Sequence, residues 1–167
     1  MGYALFRLAR LENEVEDPGD GDKYFRLAKF LLDTRHTVEE HRSPYNQSHR
    51  AVVEMTDAVG HAVRATYFYT AVADLAMLTH DDRYGTAVDR IWANAVERKH
   101  YLTGGVGASH RGEAFSDDFD LRNDGYCESC AGCGMTFWAD RMNRMHHDAH
   151  HLDVQERTLY NNVLGAV

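Results

Sequence analysis

Between Leu102 and Met135 the chain gathers residue types used in hydrolytic and metal chemistry. Glu113 lies in Gly112-Glu113-Ala114-Phe115, and Glu128 lies among three cysteines, Cys127, Cys130 and Cys133. A carboxyl group in an enclosed pocket can give and take a proton, and a carboxylate beside thiolates can hold a soft cation. The C-x2-C-x2-C spacing suits one side of a zinc site or part of an iron–sulfur cluster. Neither set is complete, because a cluster needs a fourth thiolate and the chain has three cysteines. Small buried thiols at the start of a helix are the alternative. Glu128 and Cys130 are two apart, so they share a face only where the backbone is not yet regular helix, as just after the Asn123-Asp124-Gly125 turn. The glycine run at 104 to 107 lacks the Gly-Lys-Ser/Thr ending of a phosphate loop, so a mobile loop beside a pocket is expected instead of a nucleotide site.

Upstream, the segment from Val53 to Thr79 reads as an inner helix, apolar nearly all round through Val59, Ala62, Val63, Phe68, Val72, Leu75 and Leu78. Within it Glu54, Asp57, His61 and Arg64 recur at spacings of three, four and three, which places them on one helical face. Charges on an otherwise buried helix must be paired or wet. The stripe is therefore either a structural ion-pair ladder or the polar lining of a pocket, with His61 contacting a ligand.

These residues need a scaffold, and apolar periodicity supplies one. Tyr84, Ala87, Val88, Ile91, Trp92, Ala95 and Val96 form one stripe after Asp81-Asp82, and Tyr24, Leu27, Ala28, Leu31 and Leu32 form another after Asp22. Both begin Asp-X-Tyr, and a weaker copy starts near Asp148 with His150 in the aromatic place. Three α-hairpins follow, at 3 to 16 with 22 to 35, 53 to 79 with 82 to 98, and 128 to 146 with 149 to 165. The expected fold class is all-α. The long loops at 36 to 52 and 100 to 126 favour a toroid over a solenoid. The histidine run from His146 to His151 and the acidic Glu12-to-Asp22 segment are expected to be solvated connections.

Composition sets the remaining bounds. With 167 residues, 44% hydrophobic, the chain can build one core. A net charge of -8 with no dense Lys/Arg run argues against nucleic acid as a partner. No apolar run reaches the roughly eighteen residues a membrane span needs, and no signal-peptide pattern is present, so a complete gene product of this sequence would be cytoplasmic. Cysteines clustered within seven residues do not make a disulfide framework.

Five stretches resemble glycoside hydrolase family 127, the β-L-arabinofuranosidases. They are Val53-Glu54-Met55-Thr56-Asp57-Ala58-Val59-Gly60-His61-Ala62-Val63-Arg64, Tyr101-Leu102-Thr103-Gly104-Gly105-Val106-Gly107, Gly112-Glu113-Ala114-Phe115, Tyr126-Cys127-Glu128-Ser129-Cys130 and the closing Glu156-Arg157-Thr158-Leu159-Tyr160-Asn161-Asn162-Val163-Leu164. The resemblance implies an (α/α)6 toroid, of which three hairpins are about half. It implies that Glu113 is the general acid/base, that Glu128 and Cys130 are two zinc ligands, and that His61 contacts a carbohydrate substrate. Cys127 and Cys133 gain no role. In the family a zinc-bound cysteine thiolate attacks the anomeric carbon in a retaining mechanism. That cysteine and a neighbouring ligand lie in a Cys-Cys-Pro stretch beyond the region matched by 156 to 164, and no cysteine follows Cys133. Residues 1-167 are thus expected to be a central fragment of the catalytic domain, without its N-terminal helices, the downstream cysteine pair or the C-terminal β-domain. Such a piece should be inactive alone and prone to self-association through exposed inner helices. A non-catalytic α-hairpin module that binds a carbohydrate or a protein is the competing expectation.

Overall fold

The computed structural model describes residues 2–15 and 18–166. Six α-helices run in chain order: α1 (Gly2–Val15), α2 (Asp22–Asp33), α3 (Ala62–Thr79), α4 (Asp82–Arg98), α5 (Ser129–His146) and α6 (Ala149–Arg157). A π-helical turn, Thr158–Val163, and a 3-10 turn, Leu164–Ala166, extend α6. Among the described residues there is no β-strand, only two isolated bridges, His61 with Ala114 and Ser109 with Ala114. No helix among them is long and apolar enough to cross a membrane.

The helices pair as three hairpins, with α1, α3 and α5 side by side in one layer and α2, α4 and α6 outside. The architecture is all-α, half the helix complement of an (α/α)6 toroid. Helix α3 is the centre of the inner layer, and its buried residues, among them Ala65, Thr66, Phe68, Tyr69, Val72, Ala73 and Leu75, occupy more than one side. It packs most extensively on α5, where Gly134 lets the backbones approach; a Cβ there would lie 2.1 Å from Thr66 Oγ1. Tyr69, Trp138 and Trp92 then tie α3, α5 and α4 together, with ring centroids 5.0 and 4.9 Å apart. Arg141 of α5 joins the whole inner layer: Nε donates to Asp74 Oδ1 of α3 at 3.1 Å, and Nη2 donates to Tyr3 Oη of α1 at 3.1 Å. In the outer layer Lys29 Nζ donates to Tyr84 Oη, which donates to Asp33 at 2.6 Å and so links α2 to α4.

The second and third hairpins turn by one device. His80 and His147 end α3 and α5 in the left-handed conformation, and the next residue, Asp81 or Asp148, caps the following helix by accepting from the backbone N–H two residues on. This corrects the repeat register by one position. Asp148 matches Asp81, so His151, buried like Tyr84, fills the aromatic place expected of His150. His151 stacks between His146 and Trp92, at 5.6 and 5.2 Å, so the histidine run is part helix and part core, not simply a solvated link.

The apolar face of α4 is as expected. On α2 the buried residues are Ala28 and Leu32, whereas Leu27 stays 46% exposed. Glu12 and Glu14 belong to α1, and Glu16 and Asp17 of the expected acidic loop lie outside the described residues. The largest departure is at the start of α3. Val52–Glu54 forms a 3-10 turn, Met55 to Gly60 is irregular, and the α-helix begins only at Ala62 behind His61 as its cap. Gly60, at φ +73° with its α-hydrogen facing Pro44 O where a Cβ would sit 2.1 Å away, breaks the helix. Glu54, Asp57, His61 and Arg64 therefore form no stripe on one helix.

Two glycine substitutions test this packing with opposite signs. Gly134→Ala should lower stability by about 1–3 kcal/mol through overpacking at Thr66. Gly85→Ala, with open space around it in the first turn of α4, should raise stability by about 0.4–1 kcal/mol. Chemical denaturation of both variants measures the two effects.

Candidate active site

The loop from Tyr101 to Glu128 is held by backbone hydrogen bonds to itself and to the approach to α3. Tyr126 N donates to Ala108 O and Cys127 N to Gly107 O, both at 3.0 Å; Ser109 and Ala114 exchange two bonds; Phe115 N donates to Gly60 O at 2.9 Å. The glycine run is closely packed. A Cβ on Gly104 would sit 2.6 Å from Thr158 Cα, and one on Gly105 would sit 2.8 Å from Cys127 Cβ. Buried His100 contacts Thr158 Oγ1 at 3.2 Å beneath the same loop. Burial, with Arg157 adding to it, pushes the His100 pKa down to about 4.

This framework converges on Glu113. Gly112 and Glu113 are both left-handed, at φ 69° and 50°, a paired reversal that turns the Glu113 side chain back toward His61. His61 Nδ1 accepts from Arg64 N at 3.4 Å, which leaves Nε2 as the protonated nitrogen, and Nε2 lies 3.0 Å from Glu113 Oε2 in a close polar contact. Tyr126 Oη donates to the other oxygen, Oε1, at 3.2 Å. Glu113 keeps 43% of its side chain exposed and His61 14%, so the carboxyl group is both oriented and reachable. His61 in turn meets the Tyr45 ring edge-on at 5.8 Å, and Arg64 lies over that ring at 5.1 Å.

Glu128 and Cys130 adjoin this group. Glu128 stands at the N-terminal boundary of α5 with non-helical φ/ψ, which brings its carboxylate to the Cys130 thiol two residues on. That carboxylate raises the Cys130 pKa. The charges of Glu113 first, then Glu128 and Cys130, also raise that of Tyr126, so all four share one electrostatic neighbourhood. Glu128 Oε2 is buried without a hydrogen-bond partner. Buried acceptors are ordinarily satisfied, so this oxygen beside a thiol fits part of a cation's donor set. Among the described residues no third His, Cys, Asp or Glu completes a metal-binding group. Cys127 differs: left-handed at φ 43° and packed on Gly105, it is pushed by burial to a pKa of about 11.

The structure thus brings together Glu113, His61, Glu128 and Cys130, and it leaves Glu54 and Asp57 out of the cluster. Sequence reasoning missed Tyr126 and Tyr45. Tyr126 directly precedes the cysteine motif, but a loop residue's hydroxyl gives no spacing signal. Tyr45 follows Pro44 in a loop whose path depends on contact with Gly60 and His61.

Two measurements check this geometry. Iodoacetamide should modify exposed Cys130 first and Cys127 last, and Glu128→Gln should speed modification of Cys130 near pH 8 by removing the charge that holds its thiol protonated. His100 has a folded-state pKa of about 4, below the ordinary imidazole value near 6.5. The unfolded chain therefore binds the extra proton between pH 6.5 and 4, and stability falls as pH drops across that window. The loss, roughly 2–3 kcal/mol by pH 4, should be absent in His100→Gln, as denaturant titrations at each pH will show.

Comparison with known proteins identifies the family. Residues 7–167 match the family model of the β-L-arabinofuranosidase GH127 catalytic domain. A non-reducing end β-L-arabinofuranosidase of Bifidobacterium longum subsp. longum is 30% identical over 99% of the chain, which spans 28% of that relative's length. Among solved structures, the GH127 β-arabinofuranosidase BT3674 superposes with a TM-score of 0.89 at 45% identity, over 98% of this chain and 25% of that one. A GH127 β-L-arabinofuranosidase from Geobacillus stearothermophilus T6 gives 0.83 at 36% identity, over 95% and 27%. With its fold, the cluster around Glu113 and a family match across nearly its whole length, the chain belongs to the GH127 β-L-arabinofuranosidase catalytic-domain family.

Proposed function

We propose that this chain is the central part of a retaining glycoside hydrolase that releases terminal L-arabinofuranose or a similar sugar. One observation carries the reading: the partly exposed Glu113 carboxyl meets the Tyr126 hydroxyl on one oxygen and His61 Nε2 on the other, and Tyr126 also feels the charges of Glu128 and Cys130. In its acid form Glu113 gives its proton to the glycosidic oxygen as the bond to the anomeric carbon breaks. The carboxylate left behind then takes a proton from the water that completes hydrolysis. His61 Nε2 and Tyr126 Oη fix the direction of both transfers, and His61 also presents its edge to the sugar. In this reading the group that attacks the anomeric carbon is the thiolate of the family's Cys-Cys-Pro stretch, to which none of Cys127, Cys130 and Cys133 belongs.

Glu128 and Cys130 would hold half of a tetrahedral zinc shell, and the unpartnered Glu128 Oε2 is the acceptor such a cation would use. Bound zinc would supply the positive charge that keeps thiols deprotonated near neutral pH.

The test compares this chain with one extended through a downstream Cys-Cys-Pro stretch. Stoichiometric zinc and arabinofuranosidase activity only in the extended form support the proposal. Neither property in either form would overturn it in favour of a non-catalytic binding module. In the active form, Glu113→Gln should lower turnover about 10²–10⁴-fold on substrates with poor leaving groups, and much less where the leaving group needs no proton. Equal losses on both would remove Glu113 from the acid's role. His61→Ala should weaken substrate binding while the chain stays folded, with only the loss of about 1 kcal/mol expected when a helix cap is removed.

A further inference from the structure

Beside the cluster, between the end of α2 and the first turns of α3, lies a cavity of about 570 Å³, within the roughly 300–1,000 Å³ range of small-molecule sites. Its polar wall is Arg35 and Arg64, its apolar wall includes Val63 and Phe68, and no Asp or Glu lines it. Among the described residues neither guanidinium forms an ion pair. Arg35 donates to the Asn46 carbonyl and lies 4.9 Å over the Phe68 ring, and Arg64 lies over Tyr45. Burial, then the charge of Arg64, lowers the Arg35 pKa, so the two like charges are near enough to repel. The contrast with the cavity between α1, α3 and α5 is informative. There Arg10, Arg141 and Arg144 pair with Glu14, Asp74 and Asp140, and the remaining arginine, Arg7, is near enough to Asp74 to act on its charge. In a chain of net charge -8, two unneutralised guanidiniums facing one concavity are a binding arrangement, because a carboxylate between them relieves their repulsion and gains charge-assisted hydrogen bonds.

The cavity adjoins the candidate active site through Arg64 and Tyr67. Tyr67 lines it and is close enough to Cys133 and Cys130 for their charges to add to burial in raising its hydroxyl pKa; Arg64 stacks on Tyr45, which braces His61. A ligand in the cavity is therefore a neighbour of whatever meets Glu113.

We infer that this cavity receives an acidic sugar unit of the substrate, its carboxylate held between Arg35 and Arg64 and its C–H face against Phe68 and Val63. The inference rests on the glycosidase reading of the adjoining cluster and adds a substrate class to it: glycosides in which the released sugar is attached to, or lies beside, a uronic acid.

The test is binding to the 167-residue chain, followed by NMR titration with sodium D-galacturonate, D-galactose and sodium sulfate. Galacturonate should bind at least about tenfold more tightly than galactose, as a charge-assisted pair allows, shift the resonances of Arg64 and Tyr67, and weaken as salt is added. Arg64→Gln should abolish the preference; it is the variant of choice because the Arg35 side chain also holds the Asn46 carbonyl. Equal binding of the acidic and neutral sugars would overturn the inference. So would sulfate binding as tightly as galacturonate, which would mark an adventitious ion only, and so would a preference that survives in folded Arg64→Gln. Comparing ligands on the unaltered chain separates these outcomes even if the variant does not fold. Since binding is read without turnover, failure here leaves the role of Glu113 standing, and failure of Glu113 in the leaving-group experiment leaves this result standing.

Discussion

Because α3 has apolar residues on more than one side, it cannot be satisfied by one partner, and covering it places α1, α4 and α5, on which α2 and α6 then pack. Helix α5 comes closest, at Gly134 and Thr66; α1 flanks the other side; α4 closes the outside through Trp92. The one deeply buried carboxylate on α3, Asp74, faces Arg141 and is raised in pKa by burial even so. A buried ion pair of this kind adds little net stability, since desolvation offsets most of the attraction. Its geometric value is clearer: one planar guanidinium donates to acceptors on all three inner helices at once, Tyr3, Asp74 and Asp140, and so fixes their relative height.

The candidate site sits where this rigid layer meets loops that are themselves closely held. The backbone at 60 to 61, 107 to 109, 114 to 115 and 126 to 127 is joined by short hydrogen-bonded pairs, too brief to be strands but enough to set side-chain direction. Two of the non-glycine residues with positive φ, Glu113 and Cys127, lie within it. Such backbone conformations are unfavourable for residues with a Cβ and persist only where surrounding contacts impose them. At Cys127 the contacts are visible: the N–H is bound by Gly107 O, the carbonyl accepts from Asn162, and the side chain fills the space left by Gly105. The loop thus locks to both the start of α5 and the turn after α6.

Periodicity made the six helices legible because each has a face to bury; the stripe on α4 matches its buried residues almost completely. It failed at the beginning of α3, where a 3-10 turn and an irregular stretch happen to repeat polar residues at helical spacing. Gly60 and the capping side chain of His61 are the local signs of that break, and their meaning depends on Pro44 and Tyr45 packing against them. In the site, the pairing of Glu128 with Cys130 was readable because two-residue spacing suits a helix boundary. The contact between His61 and Glu113 was not, since residues so far apart in the chain meet only through loop geometry. The packing of the glycine run was hidden for a related reason: at Gly104, Gly105 and Gly107 each absent side chain is room taken by another part of the chain, which composition does not reveal.

The aromatic group that closes the core also determines what optical probes can see. Both tryptophans of the chain, Trp92 and Trp138, lie in edge contact with each other and beside Tyr69. Their emission is a single coupled signal from the α3–α4–α5 body, subject to quenching by His151 against the Trp92 ring. Loosening of α1 and α2 leaves that group untouched, so fluorescence stays silent while far-ultraviolet circular dichroism already records lost helix. A mismatch between the two spectra is thus a direct gauge of how independently the first hairpin opens.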